Sequence, residues 1–156
     1  MTALADSKYY TPAEVAAATS VSVETQNQRY ARRVFHQSRR DSIPNGSGDV
    51  RLVCIETVYN IAITAACSKL NIPARQAAKA ARLFADDQPG RAANELFKFG
   101  RSLMVMKSTG AQILNTDFNA SLTDICGRPF EAAIIVDLGP IIRFVDDSLN
   151  SNKKDI

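Results

Sequence analysis

The sequence has little of what small secreted or catalytic domains depend on. Its 156 residues contain no tryptophan, a single histidine (His36) and three cysteines. Because Cys54, Cys67 and Cys126 are odd in number and lack a C-x-x-C spacing, neither a disulfide framework nor a zinc site is predicted. His36 has no thiol or carboxylate at ligand spacing, which favours a polar residue at a helix end over a catalytic or metal-binding one.

Other signatures are missing as well. No apolar run approaches the length of a membrane span, and the first ten residues lack the layout of a signal peptide, so we expect a cytoplasmic protein that does not bind membranes. There is no glycine-rich phosphate loop, and no cofactor is expected. The acidic pairs at residues 86–87 and 146–147 are interpreted as surface charges. These absences argue against an enzyme.

The net charge is low, but positive charge is concentrated in one stretch. A formal net charge of +3 is too small for a general nucleic-acid coat, so any contact with DNA must come from a local patch. Residues 29–40 contain five arginines and no carboxylate. A charge run alone is usually a solvated face, but arginine binds phosphate well. The five are Arg29, Arg32, Arg33, Arg39 and Arg40.

Residues 10–35 are the most informative part of the chain. Thr11 as N-cap, Pro12 at the first helical position and Glu14 completing a capping box predict a first helix. After a short polar break, Ser22 can cap a second helix that ends near residue 35. Two short helices joined by a tight turn, the second rich in Gln, Asn and Arg, are typical of a helix-turn-helix that enters a DNA major groove.

The rest of the chain predicts an α+β fold in two units. A helical head with a winged helix-turn-helix covers residues 10–85, and a small α/β unit with about three strands covers residues 91–150. The turn at residues 86–90 separates them. The predicted elements are a turn-rich loop over 36–48 with a possible two-stranded wing, helices over 50–69, 73–85, 91–99, 119–126 and 139–149, and strands over 102–107, 111–116 and 131–138.

Residues 10–85 resemble the DNA-binding head of the MerR family of transcription regulators. The likeness rests on TPAEVAAATSVSVET (11–25), the basic stretch to Arg33, DVRLVCI (49–55) and KLNIPARQAAKAARLF (69–84). It covers about half the chain and implies a helix-turn-helix, a wing and a helical pair. The family's arginine and aromatic pair are replaced by Gln-Asn-Gln at 26–28, and its dimerising coiled coil is absent. The chain is therefore interpreted as a divergent, excisionase-like or phage-type relative.

The second predicted helix supplies the candidate DNA contacts. Its first turns should meet base edges, where Gln pairs with adenine and Glu accepts from cytosine, while the arginines further along clamp phosphates. Glu24 can equally be a partner of the helix dipole, and the glutamines can simply be solvent-exposed. The candidates for base contact are Glu24, Thr25, Gln26 and Gln28, and those for phosphate contact are Arg29, Arg32, Arg33, Arg39 and Arg40.

Residues 91–150 have two candidate roles, self-association or a small-molecule pocket between sheet and helices. Since helix-turn-helix proteins commonly bind DNA as dimers, self-association is favoured and no effector is identified. The last helix carries an apolar stripe for this purpose, although the same stripe can close the domain's own core. The candidate dimerisation residues are Ile141, Ile142, Val145 and Leu149.

The sequence thus predicts a sequence-specific regulator of transcription that binds double-stranded DNA as a homodimer. The alternative is a protein-interaction module, such as an antiactivator or a phage accessory protein, in which the helix-turn-helix contacts protein instead of DNA.

Overall fold

A computed structural model describes residues 8–42, 46, 48–127 and 132–151. Within these residues the chain forms six α-helices and a three-stranded antiparallel sheet, so the predicted α+β class is confirmed. The elements are α1 (Pro12–Thr19), α2 (Val23–Ala31), α3 (Ile55–Ser68), α4 (Ala74–Ala81), β1 (Arg101–Lys107), β2 (Gly110–Thr116), α5 (Leu122–Cys126), β3 (Ile134–Asp137) and α6 (Leu138–Ser151), with a 3-10 turn over Arg82–Ala85. In the described part of the chain, none of the helices has the length and apolarity needed to cross a membrane.

The first two helices begin where their capping residues predict. The backbone N–H of Glu14 donates to Thr11 Oγ1 (3.3 Å), and the Glu14 carboxylate accepts from the N–H of Thr11 (2.8 Å). Ser22 caps α2 by accepting from the N–H of Thr25 (3.2 Å). Each cap satisfies a backbone donor that the helix itself leaves free, which fixes the helix start.

The end of α2 comes earlier than the predicted residue 35. Arg33 adopts a left-handed backbone conformation (φ 52°), its N–H donates to the carbonyl of Tyr30, and the N–H of Val34 donates to that of Arg29. This pair of bonds is the Schellman arrangement that closes a helix. The chain therefore changes direction after Ala31, and Arg32 and Arg33 lie in the turn that follows α2.

The start of α3 is also different from the prediction at residue 50. Val53 pairs with Tyr10 and Leu52 with Ser42 in isolated antiparallel bridges, so this segment is extended. β-branched and apolar side chains fit such pairing as well as they fit a helix, and apolar spacing alone did not distinguish the two.

Asp41 supplies the cap that α3 lacks from its own N-terminal residue. Its buried carboxylate accepts from the N–H of Cys54 (2.9 Å), from the hydroxyl of Thr57 (2.6 Å) and from the N–H of Ser38 (3.1 Å). A negative charge is favourable at a helix N-terminus. This one side chain therefore fastens the loop between α2 and α3 to the helix that follows.

Residues 91–99, predicted as a helix, are irregular instead, with one turn at residues 93–94. The cause is Arg91, which is only 4% exposed and lies with its guanidinium carbon 5.1 Å from the ring centre of Phe84. Its two terminal nitrogens donate to the backbone carbonyls of residues 83, 84, 86, 92 and 95. Burial lowers the pKa of Arg91. Carbonyls that bind this guanidinium are fixed in place, and the loop wraps around it.

The remaining predicted strands and helices are present with shifted ends. β1 and β2 form a hairpin, and β3 pairs with the other edge of β1 to give the order β2-β1-β3. The predicted start of the third strand at residue 131 lies outside the described residues, and the strand itself begins at Ile134.

One hydrophobic core runs through both halves of the chain. Residues 57–64 of α3 are all buried, and α1, α4 and α6 pack around them. Met104 and Met106 on β1 face this core, while Leu103 and Val105 face a smaller cluster beneath α5. The two units predicted at 10–85 and 91–150 therefore share their interior.

We predict that Asp41→Ala lowers the free energy of unfolding by about 3 kcal/mol, because the buried N–H of Cys54 and the buried hydroxyl of Thr57 lose their charged acceptor. Urea denaturation followed by circular dichroism measures this. The exposed Asp147→Ala serves as the matched control and should change stability by no more than about 0.5 kcal/mol. Equal effects of the two substitutions would contradict a capping role for Asp41.

Candidate nucleic-acid interface

Gln26 points into the molecule rather than out of it. Its side chain is 2% exposed, and Nε2 donates to the carbonyls of Pro12 (3.1 Å) and Val21 (2.9 Å). The prediction that Gln26 is exposed for base contact is therefore wrong. Instead, its amide joins the start of α1 to the turn between the helices and fixes the angle at which α2 leaves α1.

The opposite face of α2 is open to solvent. Glu24 and Gln28 are exposed, and Gln28 Nε2 lies 3.4 Å from Glu24 Oε1. Thr25 is half-buried, and its hydroxyl accepts from that of Ser22 (2.9 Å). Asn27 is exposed as well but was missed by sequence reasoning. The available signal was helical spacing, since Asn27 follows Glu24 by three residues and so lies on the same side of α2.

The five predicted phosphate-binding arginines fall into two groups. Arg29 is half-buried with its guanidinium carbon 5.6 Å from the ring centre of Phe35, and one of its terminal nitrogens is buried. The other four are exposed. Arg40 lies 3.7 Å from the carboxylate of Glu56, a surface pair that constrains it weakly. The exposed four are Arg32, Arg33, Arg39 and Arg40.

A second group of cations, on α4, lies next to the end of α2. Arg75 Nη2 donates to the backbone carbonyl of Arg32 (3.1 Å), which places the start of α4 beside the end of α2. Arg75, Lys79 and Arg82 are exposed at spacings of four and three, so they share one helix face. The spacing that places these three cations on one helix face can be read from the sequence. The contact between Arg75 and Arg32 depends on the fold.

The loop after α2 is closed at its base. Ser42 and Leu52 exchange two backbone hydrogen bonds (2.8 and 3.2 Å). The guanidinium carbon of Arg51 lies 4.1 Å from the ring centre of Tyr30, which joins the loop to α2. Burial raises the pKa of Tyr30. The turn predicted for the wing is at residues 44–46. Residues 43–45 and 47 lie outside the described residues, so most of this turn does too.

The apolar stripe on α6 belongs to the core. Ile142, Val145 and Leu149 are buried, and Ile141 is half-buried against the same cluster. α6 packs on α1 and α3, where the hydroxyl of Tyr59 donates to Asp146 Oδ1 (2.6 Å). Because these side chains fill the chain's own interior, they do not form the surface expected for dimerisation.

The cysteines are enclosed by the protein, and the histidine is partly enclosed. The three cysteines are free and buried, and burial raises the pKa of Cys67 to about 11, so its thiol is not a nucleophile at neutral pH. His36 is half-buried and lines a water-sized cavity with Glu56 and Asn60. Among the described residues, no group of three or more potential ligands is placed to hold a metal ion.

No protein-family model matches this chain, and no curated protein matches it. The MerR resemblance therefore stays a prediction, and function is inferred from the residues and their geometry.

We predict that Gln26→Ala lowers the free energy of unfolding by about 1–3 kcal/mol, because two carbonyls lose their donor and a buried space is left. The matched control is Gln28→Ala on the exposed face of the same helix, which should be neutral to within about 0.5 kcal/mol. Thermal and urea unfolding compare the two variants. If Gln26→Ala is as neutral as Gln28→Ala, the tie between α1 and α2 is not what fixes their angle.

Proposed function

We propose that this chain is a sequence-specific regulator of transcription that binds double-stranded DNA through a MerR-like winged helix-turn-helix head at residues 10–85. One observation carries the proposal: Arg75 at the start of α4 donates to the carbonyl of Arg32, which brings cations of α4 to the end of the exposed polar helix α2. A polar helix with cations at its end suits a major groove between two phosphate backbones.

Base recognition is assigned to Glu24, Asn27 and Gln28. All three are exposed on α2, and Asn and Gln side chains pair bidentately with adenine, whereas Glu accepts from cytosine. The cap at Ser22 fixes the start of α2, and the buried amide of Gln26 holds the inner face of the helix in place. Such support matters because a hydrogen bond to a base edge tolerates little displacement.

Phosphate contact is assigned to the exposed arginines. Arg32 and Arg33 stand at the corner where α2 ends, and Arg75 is held next to them. Arg39 and Arg40 are exposed on the loop that follows α2. Arginine contacts of this kind position a protein on DNA without reading its sequence, and they release counterions on binding.

We predict that the double variant Arg32→Ala/Arg33→Ala binds all DNA sequences more weakly. Its plot of log K against log salt concentration should be less steep, with a slope smaller in magnitude by about two. Both side chains are exposed, so the fold should be retained. Fluorescence anisotropy with a labelled duplex at several salt concentrations measures the slope. Lys98→Ala, which removes an exposed cation outside this surface, should leave it unchanged. An unchanged slope in the double variant would refute the assignment.

We predict a different result for Asn27→Ala, which removes a base-reading group without removing charge. Selection from a randomised DNA pool, followed by sequencing, should show relaxed preference at one or two positions, each worth about 1–3 kcal/mol of discrimination. The salt slope should stay as in the unsubstituted chain. A uniform loss of affinity with an unaltered selected sequence would count against base reading by Asn27.

We include a homodimer in the proposal because one short helix provides few base contacts, and paired half-sites increase both affinity and specificity. The burial of Val145 and Leu149 means that the contact between copies has to use another surface.

The alternative, a protein-interaction module, is favoured by a different observation. Phe99 and Phe118 are 82% and 74% exposed, and Phe144 is also mostly exposed. Large exposed aromatic side chains are typical of protein contacts. A gel shift with a randomised DNA pool at low salt distinguishes the two functions, since an interaction module without DNA affinity leaves the pool unshifted.

A further inference from the structure

Two phenylalanine side chains are exposed to solvent where the loop after Arg91 meets the end of β2. Phe99 and Phe118 are 82% and 74% exposed, more than any other large apolar side chain in the described part of the chain. Gly100 lies so close to the end of β2 that a side chain on residue 100 would clash with the carbonyl of Thr116. Both rings lie near this contact, one residue before Gly100 and two residues after Thr116.

Two recesses in the surface adjoin these rings. Phe99 lines the larger, of about 620 Å³, and Phe118 lines the smaller, of about 100 Å³. The half-buried side chains of Leu96 and Phe97 line both recesses, so the two are neighbours and each has an apolar part. An exposed ring beside a recess suits association of two identical copies about a two-fold axis, because each copy offers both halves of the contact.

The loop that carries Phe99 is held by bonds to buried groups. The guanidinium of Arg91 donates to two carbonyls of this loop (3.2 and 3.1 Å), and the N–H of Phe97 donates to Oγ of the buried Ser102 (2.8 Å). Ordering a flexible segment opposes association, and a segment that is already ordered avoids this cost. An exposed aromatic ring on such a loop is therefore suited to contact with a partner.

The exposed charges around the two recesses are balanced. Two are positive and two are negative, and none of them forms an ion pair within the described part of the chain. Arg101 and Asp137, at the smaller recess, neutralise each other (3.1 Å). A strongly acidic or basic partner gains little net attraction from such a surface, whereas a second copy can place cations against anions. The four exposed residues are Glu95, Lys98, Asp117 and Arg143.

We propose that two copies of the chain associate through this aromatic surface, which consists of Phe99, Phe118 and the recesses lined by Leu96 and Phe97. About a two-fold axis beside Phe99, the Phe99 ring of each copy enters the larger recess of the other, and Phe118 extends the contact. The inference rests on the homodimer of the proposed function and names the surface that forms it, since the stripe on α6 is taken up by the core.

Sedimentation equilibrium of the full chain without DNA tests the proposal. We expect a monomer–dimer equilibrium with a dissociation constant on the order of 10 µM, because the surface is small beside that of an obligate dimer. A chain that stays monomeric at about 500 µM, or that assembles beyond the dimer, would overturn the proposal.

Matched variants locate the contact. Phe99→Ser should raise the dissociation constant at least about tenfold, as expected for a central aromatic residue, and Phe118→Ser about threefold. Phe144→Ser removes an exposed phenylalanine that lines neither recess and should have no effect. Equal effects of Phe99→Ser and Phe144→Ser would mean that the copies meet elsewhere. Circular dichroism verifies that each variant is folded.

Salt separates this contact from one made by the basic head. Raising NaCl from about 0.1 to 0.5 M should change the dissociation constant less than about threefold, because the contact is mainly apolar and its charges are balanced. Loss of the dimer at high salt would overturn the proposal. The measurement contains no DNA, so a chain that dimerises but does not bind DNA contradicts the proposed function alone. A chain that binds DNA but stays monomeric contradicts this inference.

Discussion

The burial of α3 on every side is the constraint on which the rest of the structure depends. Its residues 57–64 have no solvent face, so a polar side chain among them is stabilised when it bonds to a partner inside the protein. Thr57 donates to Asp41 in the preceding loop, and the amide of Asn60 donates to the carbonyl of Ala78 on α4 (3.1 Å). These bonds set where the neighbouring segments lie against the central helix, and apolar packing then fills the remaining space.

The proposed DNA-binding surface is a product of that arrangement. Ala77 and Ala81 let α4 approach α3 closely, which leaves the cations of α4 outward and brings Arg75 to the end of α2. Arg39 and Arg40 are exposed on the loop that Asp41 bonds to α3, and Arg32 and Arg33 are exposed where α2 ends. The contact of Arg75 with Arg32 brings cations of two separate segments together, although the net charge stays low.

Local signals were readable from the sequence, and long-range ones were not. The caps at Thr11 and Ser22 and the hairpin turn act within a few residues, so the starts of α1 and α2 and both hairpin strands were predicted. The irregular loop around Arg91 was missed because a buried arginine bound to carbonyls looks like any surface charge in a sequence. Gln26 was misplaced for a similar reason, since helical spacing does not say which polar residue a neighbouring helix covers.

The packing of α6 on α1 and α3 has a consequence for how the protein is made. A chain folds as it leaves the ribosome, N-terminal part first. Here α1 and α3, on which the helices of the proposed DNA-binding surface pack, have apolar faces that α6 covers through side chains such as Ile142 and Val145. Until α6 has been synthesised, those faces are exposed to water. The residues of the exposed surface are therefore synthesised early. They are held in their final arrangement only after residue 151 has left the ribosome.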